Sequence, residues 1–302
     1  MELLNGLSIM PSLYCNYNCE YCYLGDLRKN KTLLNLDTLA NRLDEITQNY
    51  TIQHTTLYGG EISLLPQTYL NDLLQLVKDY NPAFVTNLSQ EWFLNYCLIN
   101  NVKLSISLNE ERTNYNKTLQ ILKTLKGIKS ICLSVVVLPS LLKKNSFEIL
   151  DFFEDLGFDV IFIQYHPSIH SKVVYDITTK DYSDFLLRIL KAKYERNYKF
   201  KIQNEIVLRD TTYRATADSF MFINQNGNFS SIKYNEKEEE YFVEFNTLQE
   251  WKDFCKQEQK LYYTKCHACK YYNKCKAEHL VNLEKDNCSG LYNLLEEYSQ
   301  IG

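Results

Sequence analysis

The chain has 302 residues, of which 45% are hydrophobic, and a formal net charge of −4 at pH 7. A chain of this length and hydrophobicity can bury a large core, which excludes a disordered protein, and its acidic balance gives no overall footprint for nucleic acid. The sequence shows no secretion signal at its start and no apolar stretch long enough to cross a bilayer. We therefore expect a cytoplasmic protein without membrane contact.

Six short apolar segments alternate with helix-like segments over the first part of the chain. The predicted strands cover residues 7–13, 54–58, 83–86, 102–108, 131–138 and 160–165. The predicted helices between them cover residues 36–50, 69–80, 91–100, 114–126 and 146–156. This alternation is typical of a parallel α/β sheet, and right-handed crossovers curl such a sheet one way. The order predicts a partial, TIM-like (β/α)6 barrel.

The order of elements changes after residue 167. We predict a helix over 181–196 and an extended segment over 199–208. A β-hairpin follows over 220–230, with Asn226 and Gly227 at its turn, and then a helix over 247–258. The domain boundary falls between residues 168 and 180. Residues 1–175 are thus predicted to form the barrel core, and residues 176–302 a small Cys-rich C-terminal domain.

Three cysteines, Cys15, Cys19 and Cys22, follow the first predicted strand. Ten cysteines in a chain without a secretion signal suggest a reducing compartment, in which clustered thiols bind metal. Three thiolates at this spacing can hold three irons of a 4Fe–4S cluster and leave the fourth iron open to a small molecule. A zinc site or three buried thiols are the alternatives, but zinc takes a fourth Cys or His ligand, and none occurs before His54.

The run from Cys15 to Tyr23 resembles the signature of the radical S-adenosylmethionine (radical SAM) superfamily, with Tyr21 as the aromatic residue before the third cysteine. The resemblance implies two cofactors, a 4Fe–4S cluster on these cysteines and S-adenosyl-L-methionine (SAM) on its open iron. It also implies that SAM is cleaved to methionine and a 5′-deoxyadenosyl radical, which removes a hydrogen atom from a substrate. Cores of this family are open (β/α)6 barrels with the cluster loop after the first strand.

The second predicted strand ends in Gly59, Gly60 and Glu61. Two glycines let the backbone approach a ligand closely, and a carboxylate can bind an ammonium group. In this position the three residues resemble the Gly-Gly-Glu motif that binds the SAM amino group. A simple turn after a strand is the alternative interpretation.

Polar residues also end the third and fourth predicted strands. Thr86 and Asn87 resemble a Thr-Asn-Gly segment of the family, although a leucine stands in place of the glycine. By the same resemblance, Ser107 and Asn109 are candidates to hold the SAM ribose or carboxylate, with Arg112 as a further carboxylate partner. Many family members have an acidic residue near the place of Asn109. Strand-end hydrogen bonding is the alternative for each of these residues.

A second cysteine group is formed by Cys266, Cys269, Cys275 and Cys288. Four thiolates can close the shell of either zinc or a 4Fe–4S cluster, and spacing alone does not decide between them. The group resembles the C-terminal part of the SPASM domain, with His279 where a further cysteine would stand. Because all dedicated ligands of the inner SPASM cluster are absent together, the resemblance implies one auxiliary cluster and two clusters in all.

Relatives of this type most often modify amino-acid side chains, so the resemblance implies a peptide or protein substrate and an electron donor such as flavodoxin or ferredoxin. In the predicted barrel, Gln164 and His166 lie near the substrate mouth. One alternative is modification of a nucleoside or nucleic-acid base, with the basic segment 188–201 following the phosphates. Another is a metal-binding structural or iron-sensing protein without enzymatic activity. The remaining cysteines, Cys97, Cys132 and Cys255, are expected to pack in the core.

Overall fold

The computed structural model describes residues 1–166, 168–209, 217–232, 242–272 and 291–301. The strands are β1 (Glu2–Leu4), β2 (Gly6–Ile9), β3 (Tyr50–Ile52), β4 (Thr55–Leu57), β5 (Pro82–Thr86), β6 (Lys103–Ser107), β7 (Ile131–Val136), β8 (Asp159–Ile163), β9 (Phe220–Ile223), β10 (Phe229–Ile232) and β11 (Phe242–Phe245). The helices are α1 (Leu36–Thr47), α2 (Gln67–Val77), α3 (Glu91–Ile99), α4 (Tyr115–Thr124), α5 (Pro139–Lys143), α6 (Ser146–Leu156), α7 (Thr179–Arg196), α8 (Gln203–Arg209), α9 (Leu248–Cys266) and α10 (Leu291–Ile301).

Six parallel strands form the sheet of a partial, TIM-like barrel, in the order β2, β4, β5, β6, β7 and β8. Each corresponds to one of the predicted strands, so the prediction of the core fold is confirmed. Because the strands are parallel, their carboxyl ends meet at one edge of the sheet. That edge is formed by Ile9, Leu57, Thr86, Ser107, Val136 and Ile163.

The helices between the strands turn apolar faces toward the sheet. On α1, for example, Leu39, Leu43 and Ile46 are buried, as their helical spacing predicts. The helix begins after Asn35, whose side chain accepts a hydrogen bond from the Thr38 N–H at 2.9 Å. The cap satisfies one of the backbone donors that a helix leaves open at its start.

One element of the second half differs from the prediction. Residues 199–208 were expected to be extended, but α8 begins at Gln203, and only Ile202 forms a bridge to the edge strand, at Val160. The reason lies in Asn204, whose side-chain amide accepts from the Phe162 N–H and donates to the Phe162 carbonyl, both at 2.8 Å. This side chain pairs the backbone groups at the edge of β8, so that no further strand is needed there.

The predicted hairpin is present as β9 and β10, with Gly227 in the left-handed conformation at its turn (φ 80°). Its strand β9 pairs in parallel with β2, and β11 pairs with β10. The nine-stranded sheet therefore runs β11-β10-β9-β2-β4-β5-β6-β7-β8. Sequence reasoning had not connected the hairpin with the first barrel strand.

The chain continues into α9, which is longer than the predicted helix over 247–258. Helix α10 packs on α7, where Lys191 pairs with Glu297, and it also contacts α8, since the Tyr298 hydroxyl donates to Glu205 at 3.2 Å. Within the described ranges, no helix has the length and apolar character needed to span a membrane. Cys97 and Cys255 are buried as expected, whereas Cys132 is partly exposed.

Candidate active site

A cavity of about 390 Å³ opens at the carboxyl edge of the barrel sheet. It brings together every core residue that the sequence marked for a cofactor, with the exception of Asn109. These lining residues are Cys15, Cys19, Tyr21, Cys22, Gly59, Gly60, Glu61, Thr86, Asn87, Ser107 and Arg112. Gln164 and His166 line the same cavity, so they lie at the mouth where the barrel topology put them.

The cysteine loop is held in place by backbone contacts on both sides. The Cys15 N–H donates to the Arg28 carbonyl at 3.0 Å, which closes the loop at its start. From the other side, the N–H groups of Lys172 and Val173 donate to the Glu20 carbonyl at 3.0 and 3.1 Å. The Ser168 hydroxyl donates to the carbonyl of Tyr23 at 2.7 Å. The segment after β8 thus fixes a loop that lies about 150 residues earlier in the chain.

The three thiols line one wall of the cavity and are partly exposed. Burial raises the pKa of the Cys15 thiol to about 11, and it also raises the pKa of Cys22. The sulfur of Cys15 accepts hydrogen bonds from the Tyr17 N–H at 3.4 Å and from the Asn87 side-chain amide at 3.7 Å. Among the described residues, no three His, Cys, Asp or Glu side chains converge on a point where one metal ion could sit. Three thiols on one loop that all line the same cavity are suitable ligands for three irons of a 4Fe–4S cluster.

Gly59 and Gly60 are required by a close approach of two backbone segments. A Cβ on Gly59 would lie 2.6 Å from the carbonyl oxygen of Ser12, and one on Gly60 would overlap the carbonyl of Tyr14. The same segments are joined by hydrogen bonds from the Gly60 N–H to Ser12 at 2.9 Å and from the Glu61 N–H to Tyr14 at 2.7 Å. The glycines therefore dock the end of β4 directly against the chain leading into the cysteine loop.

The carboxylate of Glu61 is buried, with 3% of the residue exposed. One oxygen accepts from the Ser63 N–H at 3.0 Å and the Thr86 hydroxyl at 2.5 Å, and the other accepts from the Asn87 N–H at 2.6 Å. Burial raises the pKa of Glu61, against the opposing effect of these donors. All three donors are neutral, so a cationic group in the cavity would stabilise the ionised carboxylate.

Asn87 connects this carboxylate with the cysteine loop, because its backbone binds Glu61 and its side chain binds Cys15. The next residue, Leu88, has φ 56°, the left-handed conformation that favours glycine, and its side chain is buried in the core. Leu88 therefore has a backbone conformation that a glycine in its place would adopt readily. The Leu88 N–H donates to the Thr86 hydroxyl at 3.0 Å, which helps to hold the turn.

Arg112 contacts the cysteine loop, with its guanidinium 5.9 Å from the centre of the Tyr21 ring. Burial lowers the pKa of Arg112, but the neighbouring Tyr21 and Cys19 raise it by a larger amount. The pKa is therefore raised overall, and the guanidinium is a permanent cation facing the cavity. Asn109 lies elsewhere. Its amide accepts from the Val136 N–H at 3.1 Å and donates to the Val136 carbonyl at 2.8 Å, and it lines a separate cavity. This is the strand-end hydrogen bonding that was its alternative role.

The second cysteine group is described only in part. Cys266 ends α9, and the Cys269 N–H donates to the Cys266 carbonyl at 2.9 Å. Both side chains are partly exposed. Cys275, Cys288 and His279 lie outside the described residues.

A SPASM domain has a cysteine ligand of its inner cluster soon after the hairpin. At that place this chain has buried serines instead. Ser230 and Ser231 are buried in β10. The indole N–H of the fully buried Trp251 donates to the Ser231 hydroxyl at 3.0 Å. The Trp251 ring also packs edge-to-face on Tyr50, at 6.0 Å between ring centres.

Two hairpin residues that sequence reasoning missed complete the cavity, Phe222 of β9 and Ile232 of β10. Tyr58, Ile163 and Tyr165 also line it. The signal that could have found them is the apolar composition of the hairpin, but only its pairing with β2 brings it to the site.

Comparison with known proteins places this arrangement in a family. The model of the radical SAM superfamily matches residues 9–208. The chain is 24% identical over 227 residues to a cysteine-type anaerobic sulfatase-maturating enzyme of Clostridium novyi, covering 63% of this chain and 59% of that protein. It is 25% identical over 126 residues to the putative peptide biosynthesis protein YydG of Bacillus subtilis, covering 38% and 39%. These alignments span less than two thirds of either relative's length.

Solved structures show the same fold. The structure of anSMEcpe with bound AdoMet has a TM-score of 0.68 at 16% identity, covering 99% of this chain and 96% of that chain. The structure of SuiB from Streptococcus suis bound to S-adenosylmethionine has a TM-score of 0.64 at 17% identity, covering 95% and 75%. A second SuiB structure, bound to the precursor peptide SuiA, has a TM-score of 0.60 at 16% identity, covering 76% and 59%.

Proposed function

The chain belongs to the radical SAM superfamily of enzymes, which use a 4Fe–4S cluster and SAM, and from this premise we propose that it removes a hydrogen atom from an amino-acid side chain of a peptide or protein. The observation that carries the proposal is the single cavity lined by three thiols, a buried carboxylate and a permanent cation. When bound, the cluster supplies one electron that splits SAM into methionine and a 5′-deoxyadenosyl radical, which takes the hydrogen atom from a substrate C–H bond.

The residues of the chain supply the binding groups for both cofactors. Cys15, Cys19 and Cys22 would each hold one iron and leave the fourth iron facing the cavity. Glu61 would bind the SAM ammonium group, since its carboxylate is buried with neutral donors only. Arg112 and Ser107, both on the cavity wall, would hold the SAM carboxylate and ribose.

A peptide or protein substrate is the finer part of the proposal. In its favour, one curated relative is named a putative peptide biosynthesis protein, and SuiB was solved with a precursor peptide. The electron would come from a one-electron donor protein such as flavodoxin or ferredoxin. Cys266, Cys269, Cys275 and Cys288 would hold one auxiliary 4Fe–4S cluster, with zinc as the alternative.

The nucleic-acid alternative rested on the basic segment 188–201, and most of that charge is engaged within the protein. The contacts join Arg188 to the carbonyls of Leu142 and Lys144, Lys191 to Glu297, Lys193 to Glu205, and Arg196 to Asp151. Side chains that are paired in this way offer little to a phosphate backbone, whose binding depends on free cationic groups. This favours the peptide or protein substrate over a nucleic-acid base.

The test uses protein that has been reconstituted anaerobically with iron and sulfide and then reduced. We expect slow formation of equal amounts of 5′-deoxyadenosine and methionine from SAM before any substrate is added. Iron-loaded protein that binds SAM but never forms 5′-deoxyadenosine would contradict the proposal and favour an iron-sensing protein. Strong, salt-dependent binding of RNA or DNA would instead support the nucleic-acid alternative.

A further inference from the structure

The cavity has two chemically different halves. One half carries the groups assigned above to the cluster and SAM. The other half is formed by the ends of β7 and β8 and by the hairpin β9–β10, and the proposed cofactors use none of it. Its lining residues are Ser134, Val136, Ile163, Gln164, Tyr165, His166, Phe222 and Ile232, and Tyr58, which follows β4, packs beside Phe222.

The hairpin side of this half is a rigid aromatic surface. Phe222 packs edge-to-face on Tyr58, with 6.2 Å between ring centres, and in a tilted arrangement on Phe242 at 5.4 Å. Strand β9 is fixed by its parallel ladder with β2, in which Phe222 is opposite Ser8. Aromatic pairs of this geometry keep their rings in place and offer an apolar face to a ligand.

The β8 side has polar side chains, and those of Tyr165 and Gln164 make hydrogen bonds within the protein. The Tyr165 hydroxyl donates to the Val173 carbonyl at 3.1 Å and accepts from the Tyr175 N–H at 3.4 Å. The side-chain amide of Gln164 donates to the Thr179 hydroxyl at 3.0 Å. The ring of Tyr165 and the aliphatic side chain of Ile163 therefore dominate this wall.

The described residues of this half include no Asp, Glu, Lys or Arg. Among the described lining residues, Glu61 and Arg112 are the only Asp, Glu, Lys or Arg side chains, and both belong to the cofactor half. Burial lowers the pKa of His166 to about 4, so this imidazole is neutral at pH 7. A charged substrate side chain would lose its hydration here without gaining an opposite charge, whereas an apolar one would gain from leaving water.

We propose that the residue attacked by the radical has an uncharged, mainly apolar side chain, which lies between the aromatic hairpin wall and the Ile163–Tyr165 wall. This inference rests on the proposed function, because it names the substrate class of the same site. The hydrogen atom moves from a carbon of that residue to C5′ of the deoxyadenosyl radical, and the substrate keeps the unpaired electron.

The test uses pools of pentapeptides, each with one fully deuterated residue type at its centre and random residues at the other four positions. Deuterium in 5′-deoxyadenosine reports which central residue is attacked. We expect label from the Val, Ile, Leu, Met and Phe pools to exceed that from the Asp, Glu, Lys and Arg pools by about tenfold or more.

A variant in the wall sharpens the test. Ile163 is 39% exposed, so an Ile163→Asp variant is expected to fold, and its carboxylate would shift label from the apolar pools toward the Lys and Arg pools. Ile99→Asp is the control, because Ile99 is an exposed isoleucine at the end of α3 and does not line the cavity. Its label pattern should equal that of the unmodified protein.

Equal or greater label from charged pools in the unmodified protein would overturn the inference. Steady cleavage of SAM with no label from any pool would also overturn it, while leaving the radical generator in place. Absence of SAM cleavage itself would remove the proposed function, and the inference with it. The amount of 5′-deoxyadenosine and its deuterium content thus separate the two failures.

Discussion

The two cysteine groups of this chain are built in different ways. Around Cys15, contacts arrive from residues far apart in sequence, namely Asn87 on the sulfur and Arg28 on the backbone. Around Cys269, the contacts of the described residues are local, from its N–H to Cys266 and from the Tyr271 N–H to its sulfur at 3.4 Å. The first group is part of the barrel, whereas the second lies at the end of a helix.

This difference indicates which cysteine group is held in place by protein contacts before any metal binds. The barrel edge fixes the cysteine loop through the close approach of Gly60 to Tyr14 and through the contacts of residues 168–173. Because Cys266 and Cys269 lie at the end of a helix and not on the barrel sheet, we expect the metal to contribute more to the local structure there, as in small metal-binding domains. We expect the first site to govern chemistry and the second to govern mainly local stability.

Removal of the barrel thiols should have the largest effect. Replacing Cys15, Cys19 and Cys22 by Ala removes every protein ligand of the proposed catalytic cluster, so SAM cleavage should fall to background. Metal analysis should show a loss of about four irons per chain. Unchanged iron content, or 5′-deoxyadenosine formed at the original rate, would show that the cluster lies elsewhere.

The next effect concerns SAM binding. Glu61→Gln keeps the shape of the side chain but removes its charge, so the charge-assisted contact to the SAM ammonium is lost. We expect the Kd of SAM to rise by about tenfold to a hundredfold, since such contacts contribute about 1.5–3 kcal/mol. Glu20→Gln is the control, because this exposed carboxylate lies in the same loop and outside the cavity. Equal affinity of the two variants would remove Glu61 from the binding site.

The second cysteine group should contribute less to the chemistry. In a Cys266→Ser, Cys269→Ser variant, the auxiliary metal should be lost and the Tm should fall by a few degrees, because α10 and the end of α9 would lose a shared anchor. Substrate-free SAM cleavage should stay within about twofold of the original rate, since the barrel cavity is intact. Loss of about four irons identifies a 4Fe–4S cluster, and loss of one zinc identifies the alternative. A collapse of SAM cleavage would abolish the distinction between the two sites.

Sequence reasoning found the residues of the site better than their contacts. Spacing and motif were sufficient to predict that Cys15, Cys19 and Cys22 lie at the barrel edge, and helical periodicity was sufficient for α1. The parallel pairing of β9 with β2 was not predictable, because no local pattern specifies which distant strand covers an open edge. The prediction of an extended segment over residues 199–208 was wrong for a related reason. The side chain of Asn204 binds the backbone at the edge of β8, where a further strand would otherwise pair.

Asn109, which lies outside the cavity, shows the same limit. Its place at the end of β6 suggested a cofactor contact, but the two hydrogen-bonding groups of its side chain hold the backbone of Val136. Which of two roles a strand-end amide takes depends on the neighbouring strand, and sequence spacing does not report that neighbour. Ser107, two residues earlier, does line the cavity.

The smallest predicted effect concerns the reduction potential of the barrel cluster, which the protein is expected to influence through a hydrogen bond to a ligand sulfur. Asn87→Ser keeps the backbone N–H that binds Glu61 and removes the amide that donates to the Cys15 sulfur. A hydrogen bond to a ligand sulfur stabilises the more negative, reduced cluster, so its loss should lower the reduction potential. One bond of about 0.5–1.5 kcal/mol corresponds to a shift of about 20–60 mV for one electron.

The measurement is a redox titration followed by electron paramagnetic resonance, made in the variant lacking Cys266 and Cys269 so that one cluster is observed. Asn100→Ser is the matched control, because its side chain binds the Tyr96 carbonyl at the end of α3, away from the cavity. SAM affinity should remain close to that of the parent variant, since the contact of Glu61 with the backbone persists. A potential equal to that of the control would mean that the Asn87 amide does not act on the cluster. A higher potential would contradict the sign of the argument, because a lost donor can only disfavour the added electron.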